Sequence, residues 1–144
     1  MAKLNASRTA QYALHAEFVF NLTDTILATD GTVKAFSVAA PIADVIPLPP
    51  NAIVIGGDVT VEIASNDSST ATITVGDSGN ATRYLGATNI KATGRTVLVP
   101  TGYVGVGENV RIALANAGAN ATAGKVTVRV TYVVRGRANE SQIA

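Results

Sequence analysis

The sequence contains no cysteine and no tryptophan, and a single histidine, His15. Without cysteine there is no disulfide framework, no thiolate nucleophile and no zinc–cysteine site. A zinc site built on histidine needs a second histidine or a cysteine, and Glu17, two residues along the same face, is too little. Without tryptophan, nothing marks a carbohydrate cleft. Charged side chains make up 15% of the chain, against about 25% in ordinary globular domains; so small an inventory suits a surface covered by other subunits. The net charge is +1, which gives no strong steering field towards nucleic acid or an anionic membrane. No apolar run approaches the ~20 residues of a membrane span, and the first eight residues, Met1 to Arg8, contain no apolar segment of signal-peptide length. The expectation is a soluble protein made in a cytoplasm, with no membrane and no nucleic acid among its partners.

What the chain does have is alternation. From Lys125 to Arg135, Val126, Val128, Val130, Tyr132 and Val134 fall on one parity, and Thr127, Arg129, Thr131, Val133 and Arg135 on the other. A period of two in β-branched and aromatic residues is the pattern of a strand with one buried face. Tyr12, Leu14, Ala16, Phe18, Phe20 and Leu22 repeat the pattern near the start, with His15 on the polar side. Asp30-Gly31 is a tight-turn signal between Thr25–Thr29 and Thr32–Ala39, and predicts a hairpin. Pro41, Pro47, Pro49 and Pro50 break regular structure, so this stretch reads as a connection crossing between parts of the sheet system. Ala52 to Ser65 resumes strand character, and Gly56-Gly57 marks a bulge or bend within it. Shorter strands follow at Thr70–Val75, Thr82–Leu85, Thr96–Val99 and Val110–Ala115. Turns rich in Asn, Asp, Ser and Gly separate them, and Ala87–Gly94 reads as irregular.

Eight or more short strands and no long helical period predict an all-β fold: an antiparallel, jelly-roll-like β-sandwich. With 144 residues, a single domain spanning 1–144 is expected, able to bury roughly 68–70% of its unfolded surface. Residues 1–11 and 136–144 read as polar N- and C-terminal arms. Val59-Thr60-Val61-Glu62 and Val126-Thr127-Val128-Arg129 are alike, with opposite charge at matching offsets. They are expected to be neighbouring strands with Glu62 facing Arg129.

Candidate chemistry is thin. Gly76-Asp77-Ser78-Gly79 resembles the sequence around the nucleophile of chymotrypsin-like serine proteases. That chemistry needs a histidine base and an aspartate to orient it, and His15 lies in a strand pattern. Asp and Ser between glycines are also what a β-turn prefers, so a turn is expected here. Gly102 to Gly107 lacks the following helix of a dinucleotide fingerprint and the Lys-Ser/Thr of a P-loop, so it reads as a glycine-rich strand connection. Carboxylates are scattered, and no pair of them marks a glycosidase. Lys125, Arg129, Arg135 and Arg137 form a basic cluster without aromatic platforms for bases. No catalytic residue, metal ligand or cofactor is expected. The polar side of the last strand and its tail, namely Thr127, Arg129, Thr131, Arg135 and Arg137, is the candidate protein interface.

One resemblance adds to this reading. Leu48-Pro-Pro-Asn-Ala-Ile-Val-Ile-Gly-Gly-Asp-Val-Thr-Val-Glu62, Ala71-Thr-Ile-Thr-Val-Gly-Asp-Ser-Gly79, Arg83-Tyr-Leu85, Pro100-Thr-Gly-Tyr103 and Val128-Arg-Val-Thr-Tyr132 together resemble the cement, or decoration, proteins of tailed-phage heads. The likeness covers about the last two-thirds of the chain and is one of general phrasing. It implies a jelly-roll-like sandwich, a place on the outer surface of the capsid in the virion, the major capsid protein as partner, and self-association as a homodimer or homotrimer. No family catalytic residues exist to carry over. The alternative function is a carbohydrate- or receptor-binding sandwich of a phage head fibre or tail. A small glycan hydrolase stands third.

Overall fold

The computed structural model describes residues 8–9, 12–37, 41–118, 121–136 and 139–140. The remainder of the expected N-terminal arm and C-terminal tail, including Arg137, lies outside the described residues. Twelve strands follow in chain order: β1 (Arg8–Thr9), β2 (Leu14–Asn21), β3 (Thr25–Leu27), β4 (Val33–Ala35), β5 (Ile42–Ile46), β6 (Ala52–Ile63), β7 (Ala71–Gly76), β8 (Leu85–Asn89), β9 (Gly94–Val97), β10 (Val110–Asn116), β11 (Lys125–Val134) and β12 (Asn139–Glu140). Two four-stranded sheets carry the fold, ordered β2-β11-β6-β9 and β5-β10-β7-β8, and all their pairings are antiparallel. Of their eight strands only β7 and β8 are successive members of one sheet; each other connection between them crosses to the opposite sheet. This is the antiparallel sandwich expected from the sequence, and its order is compatible with a jelly roll.

One core lies between the sheets. Phe20, Val59, Val61, Val126, Val128 and Val130 face it from the first sheet; Ile73, Val75, Val110, Ile112 and Leu114 face it from the second. Phe20 and Phe36 stack with ring centroids 4.2 Å apart, and Phe18 packs on both. Deleting a fully buried side chain here, such as Ile112, removes its transfer free energy and leaves a cavity, about 2–5 kcal/mol together.

β11 is the most extensively paired strand, bonded to β2 along eight positions from Lys125↔Asn21 to Tyr132↔Leu14 and to β6 along its full length. Its valines at 126, 128 and 130 are buried as the alternation requires. The Asp30-Gly31 hairpin is present as β3 and β4, with Gly31 at φ 83°. The Asp30 carboxylate closes it, accepting from Thr32 N at 3.0 Å and Lys34 Nζ at 2.7 Å. The expected bulge in β6 is also found. The register against β11 slips between Thr131 and Tyr132, leaving Ile55 unmatched beside Gly56. The connection from Pro47 to Asn51 does cross between sheets, with Asn51 in the left-handed region at φ 66°.

Four expectations are corrected. Tyr12, expected inward, is 89% exposed; the strand begins at Leu14, which is paired with Tyr132, the last β11 residue matched to β2. The stretch between Pro41 and Pro47 is not irregular but strand β5. It lies at the edge of its sheet, where flanking prolines cost no central ladder bond, and it buries Ala43 and Ile46. The strand expected at Thr82–Leu85 is displaced to Leu85–Asn89, taking in the start of the Ala87–Gly94 stretch expected to be irregular, because residues up to Arg83 are held in the preceding turn. There Arg83 N bonds Asn80 O at 3.2 Å and Thr82 N bonds Asn80 Oδ1 at 3.0 Å. Lastly, β6 and β11 are neighbours as expected, but Glu62 does not face Arg129. The pairing is antiparallel, so matching offsets are reversed: Arg129 faces Asp58, and Glu62 lies near Lys125 at a second register shift.

Candidate functional site

The outer face of the β2-β11-β6-β9 sheet collects the polar parities of four strands. In register across it run Glu17, Arg129 and Asp58, with Val19, Thr127, Thr60 and Arg95 in the adjacent row and His15, Thr131 and Gly56 in the row on the other side. Side chains in these rows bond sideways to one another. Arg129 Nε donates to Glu17 Oε2 at 3.0 Å, and Arg129 Nη1 donates to Asp58 Oδ1 at 3.1 Å and to Thr60 Oγ1 at 3.2 Å. Arg95 Nε donates to Asp58 Oδ2 at 2.8 Å from the edge strand. The result is a hydrogen-bonded chain of alternating sign across all four strands: Glu17, Arg129, Asp58, Arg95.

Asp58 is the most enclosed member, 7% exposed. Burial works against its ionisation, but the hydrogen bonds from Arg95, Arg129 and Thr60 outweigh it and hold the carboxyl below its ordinary range. Beside this chain, Glu62 pairs with Lys125 at 2.9 Å and accepts from Thr127 Oγ1 at 2.8 Å. The Lys125 bond, with that of Thr127, keeps the Glu62 carboxyl low. His15 Nδ1 and Thr131 Oγ1 share a 3.0 Å hydrogen bond. A recess of about 310 Å³ opens over the middle of the face, lined by His15, Glu17, Asp58, Arg95, Arg129 and Thr131 among others.

The structure thus unites Thr127, Arg129 and Thr131 on one surface. Thr127 is 1% exposed, because it sits in the central strand with its hydroxyl turned to Glu62. Arg135 is exposed past the end of β11, its backbone N bonded to Asn51 O at 2.9 Å. The basic cluster inferred from sequence is not a free positive patch: Lys125 and Arg129 are both ion-paired. Glu17, Asp58, Thr60 and Arg95 belong to the same surface, though nothing in the sequence groups them. Glu17 and Asp58 stand on the polar parity of their strands, which is a usable signal. Arg95 was hidden because β9 starts at Gly94, two residues before the strand expected from sequence.

The second polar cluster ties loops together. Asp77 Oδ1 accepts from Gly79 N and Asn80 N, both at 2.9 Å, which is the turn expected for Gly76–Gly79. Asp77 also pairs with Arg83, whose guanidinium lies 3.6 Å from the centre of the Tyr103 ring. Tyr103 donates in turn to Glu108 at 2.5 Å, a bond that raises the tyrosine and lowers the carboxyl. Asp77 therefore orients an arginine, not a histidine, and Ser78 is exposed in the turn. Among the described residues no three His, Asp or Glu side chains are grouped as a metal site, and no helix is long and apolar enough to cross a membrane.

The sheet face thus carries a polar network satisfied at its middle, and the loops are braced by side chains. Solved structures match this chain over nearly its whole length. It is similar to a chain of the cyanophage Pam1 capsid asymmetric unit, at 29% identity and TM-score 0.61, covering 92% of this chain and 94% of that one. It is also similar to a chain in the acid-stable capsid of Helicobacter pylori bacteriophage KHP30 (16% identity, TM-score 0.65, 95% and 97% covered). A third likeness is to a chain in the capsid of Ralstonia phage GP4 (16% identity, TM-score 0.56, 92% and 91% covered). The last two show a shared fold. No protein-family model matches the chain, and no curated protein matches it.

Proposed function

We propose that this chain is a non-enzymatic structural protein of a phage virion, which binds the outside of the head and cements neighbouring major capsid subunits. The observation that carries the reading is the likeness, along 92% of the chain at 29% identity, to a chain of a phage capsid. The physical logic is linkage. A protein that binds the assembled shell, and not free subunits, stabilises assembly by mass action. Such a protein needs a rigid body and contacts that reach its neighbours.

Three features support that role. The sandwich supplies the rigid body. Leu27 and Val33 face each other across the β3–β4 ladder and are 62% and 69% exposed, which gives the hairpin an apolar pair suited to a neighbouring subunit. β1 pairs with β12, Arg8 opposite Glu140, so parts of the two arms meet as one ribbon. Thr127, Arg129, Thr131, Arg135 and Arg137 remain the interface proposed from the sequence, joined now by Glu17, Asp58 and Arg95.

Mixing purified protein with undecorated capsids tests the role. Co-sedimentation with the shells and a rise in their heat resistance are expected. Failure to bind shells, together with retention on a glycan array, would point instead to a receptor-binding sandwich.

A further inference from the structure

Across the outer face of the β2-β11-β6-β9 sheet the charges read acid, base, acid, base from edge to edge: Glu17, Arg129, Asp58, Arg95. Within one chain this row satisfies its middle and leaves both ends open. Among the described residues, Glu17 Oε1 and the two terminal nitrogens of Arg95 make no hydrogen bond. The end side chains, Glu17 and Arg95, are 53% and 59% exposed, against 10% for Asp58.

A row of this kind is self-complementary. Rotation by 180° about an axis in the interface, parallel to the strands, turns acid-base-acid-base into base-acid-base-acid. Two copies laid face to face then oppose unlike charges in the middle of the row and bring them within one row of each other at its ends. A two-fold axis running across the strands would oppose like charges, so the row selects one of the two arrangements. Because the first rotation keeps position along the strand, the register fixes the partners. Arg129 lies over the partner's Asp58, which its own Arg129 and Arg95 already hold. Glu17 and the partner's Arg95 lie one row apart, within reach of two long side chains. Val19 and the partner's Val97 also lie one row apart, and both are apolar and exposed, at 43% and 52%.

The face also leaves room. Gly56 lies opposite Thr131, and a Cβ built on it would meet nothing within 4 Å. Its φ is not in the left-handed region. Neither backbone conformation nor packing within the chain calls for glycine there, and glycine inside a strand marks a place where another backbone or ligand comes close. Four strands about 4.8 Å apart, averaging about eight residues in length, cover roughly 500 Å². Two such faces bury about 1,000 Å², the lower end of specific interfaces.

We propose that the outer face of the β2-β11-β6-β9 sheet is the isologous interface of a homodimer, with its two-fold axis parallel to the strands. The inference does not depend on the capsid role, since it concerns the free protein. The test is a charge-swap pair followed by sedimentation equilibrium. Wild-type protein at about 100 µM, above the micromolar affinity expected of so small an interface, should sediment at twice the 14.7 kDa chain mass. Glu17→Arg and Arg95→Glu should each sediment at the monomer mass while keeping the wild-type circular dichroism. An equimolar mixture of the two should return to the dimer mass, because both contacts between position 17 of one chain and position 95 of the other again join unlike charges. A monomeric wild type, single variants that still dimerise, a mixture that stays monomeric, or assembly beyond the dimer would each overturn the proposal. Wild-type protein alone gives a second reading if a variant misfolds. Its dimer should weaken at 1 M salt, where charges are screened beyond roughly 3 Å, and a salt-insensitive dimer would contradict the charge row.

Discussion

Adjacent glycines on β6 separate two reasons for lacking a side chain. A Cβ on Gly57 would run into Arg129 O and stand 2.9 Å from Leu98 Cδ1, and its φ is 137°. Gly57→Ala should destabilise the fold by about 2 kcal/mol or more through strain and backbone clash. Gly56→Ala meets nothing within its own chain, and at concentrations well below micromolar, where the chain is monomeric, should stabilise by roughly 0.5 kcal/mol by stiffening the unfolded chain. Urea titration of both variants checks the pair; equal effects would refute the assignment. The same contrast holds between Asp77 and Ser78. Asp77→Ala strips Arg83 of its buried partner and should cost about 3 kcal/mol, whereas Ser78→Ala, exposed in the turn, should stay within about 0.5 kcal/mol. At this scale the sequence was informative about types and silent about partners. That Gly76–Gly79 is a turn followed from its composition. That Asp77 holds Arg83, which leans on Tyr103, depends on a loop brought in from beyond β9.

The elements were legible wherever alternation is long. β2, β6, β10 and β11 each have a run of apolar residues on one parity, and burial of one face of a sheet preserves that run. The hairpin at Asp30-Gly31 was legible because its turn chemistry is local. β5 and β8 were not, since both are edge strands whose residues are held by a neighbour more than by their own preference. Pairing direction was the other blind spot: likeness between β6 and β11 correctly made them neighbours, but likeness does not say that they run antiparallel. The β7–β8 turn also carries a titration. Tyr84, 5% exposed, is pushed up to about 12 by burial, from an ordinary value of 10.0. The folded state therefore holds this proton more tightly than the unfolded one. Its contribution is complete below pH 10 and is lost as pH rises towards about 12. Melting temperature should fall across that window in the wild type, and should fall less in Tyr84→Phe. Identical slopes would contradict the burial of this phenol.

For the whole molecule, the sequence carried the fold class and the phage-structural resemblance, and the structural likenesses to three phage capsid chains agree with both. It could not carry the outer-face network, because Glu17, Asp58, Arg95 and Arg129 are far apart in sequence and meet only through the strand order β2-β11-β6-β9. That network gives the sandwich a polar surface with fixed geometry, and the β3–β4 hairpin adds an apolar one. A head-binding protein would use such surfaces to hold its own copies and its neighbours in place. The most direct measurement is the heat resistance of undecorated capsids with and without the purified protein, with the bound fraction followed by co-sedimentation. The account predicts saturable binding to assembled shells, none to free capsid subunits, and a higher temperature of shell disruption. Shells that neither bind the protein nor gain heat resistance would contradict it.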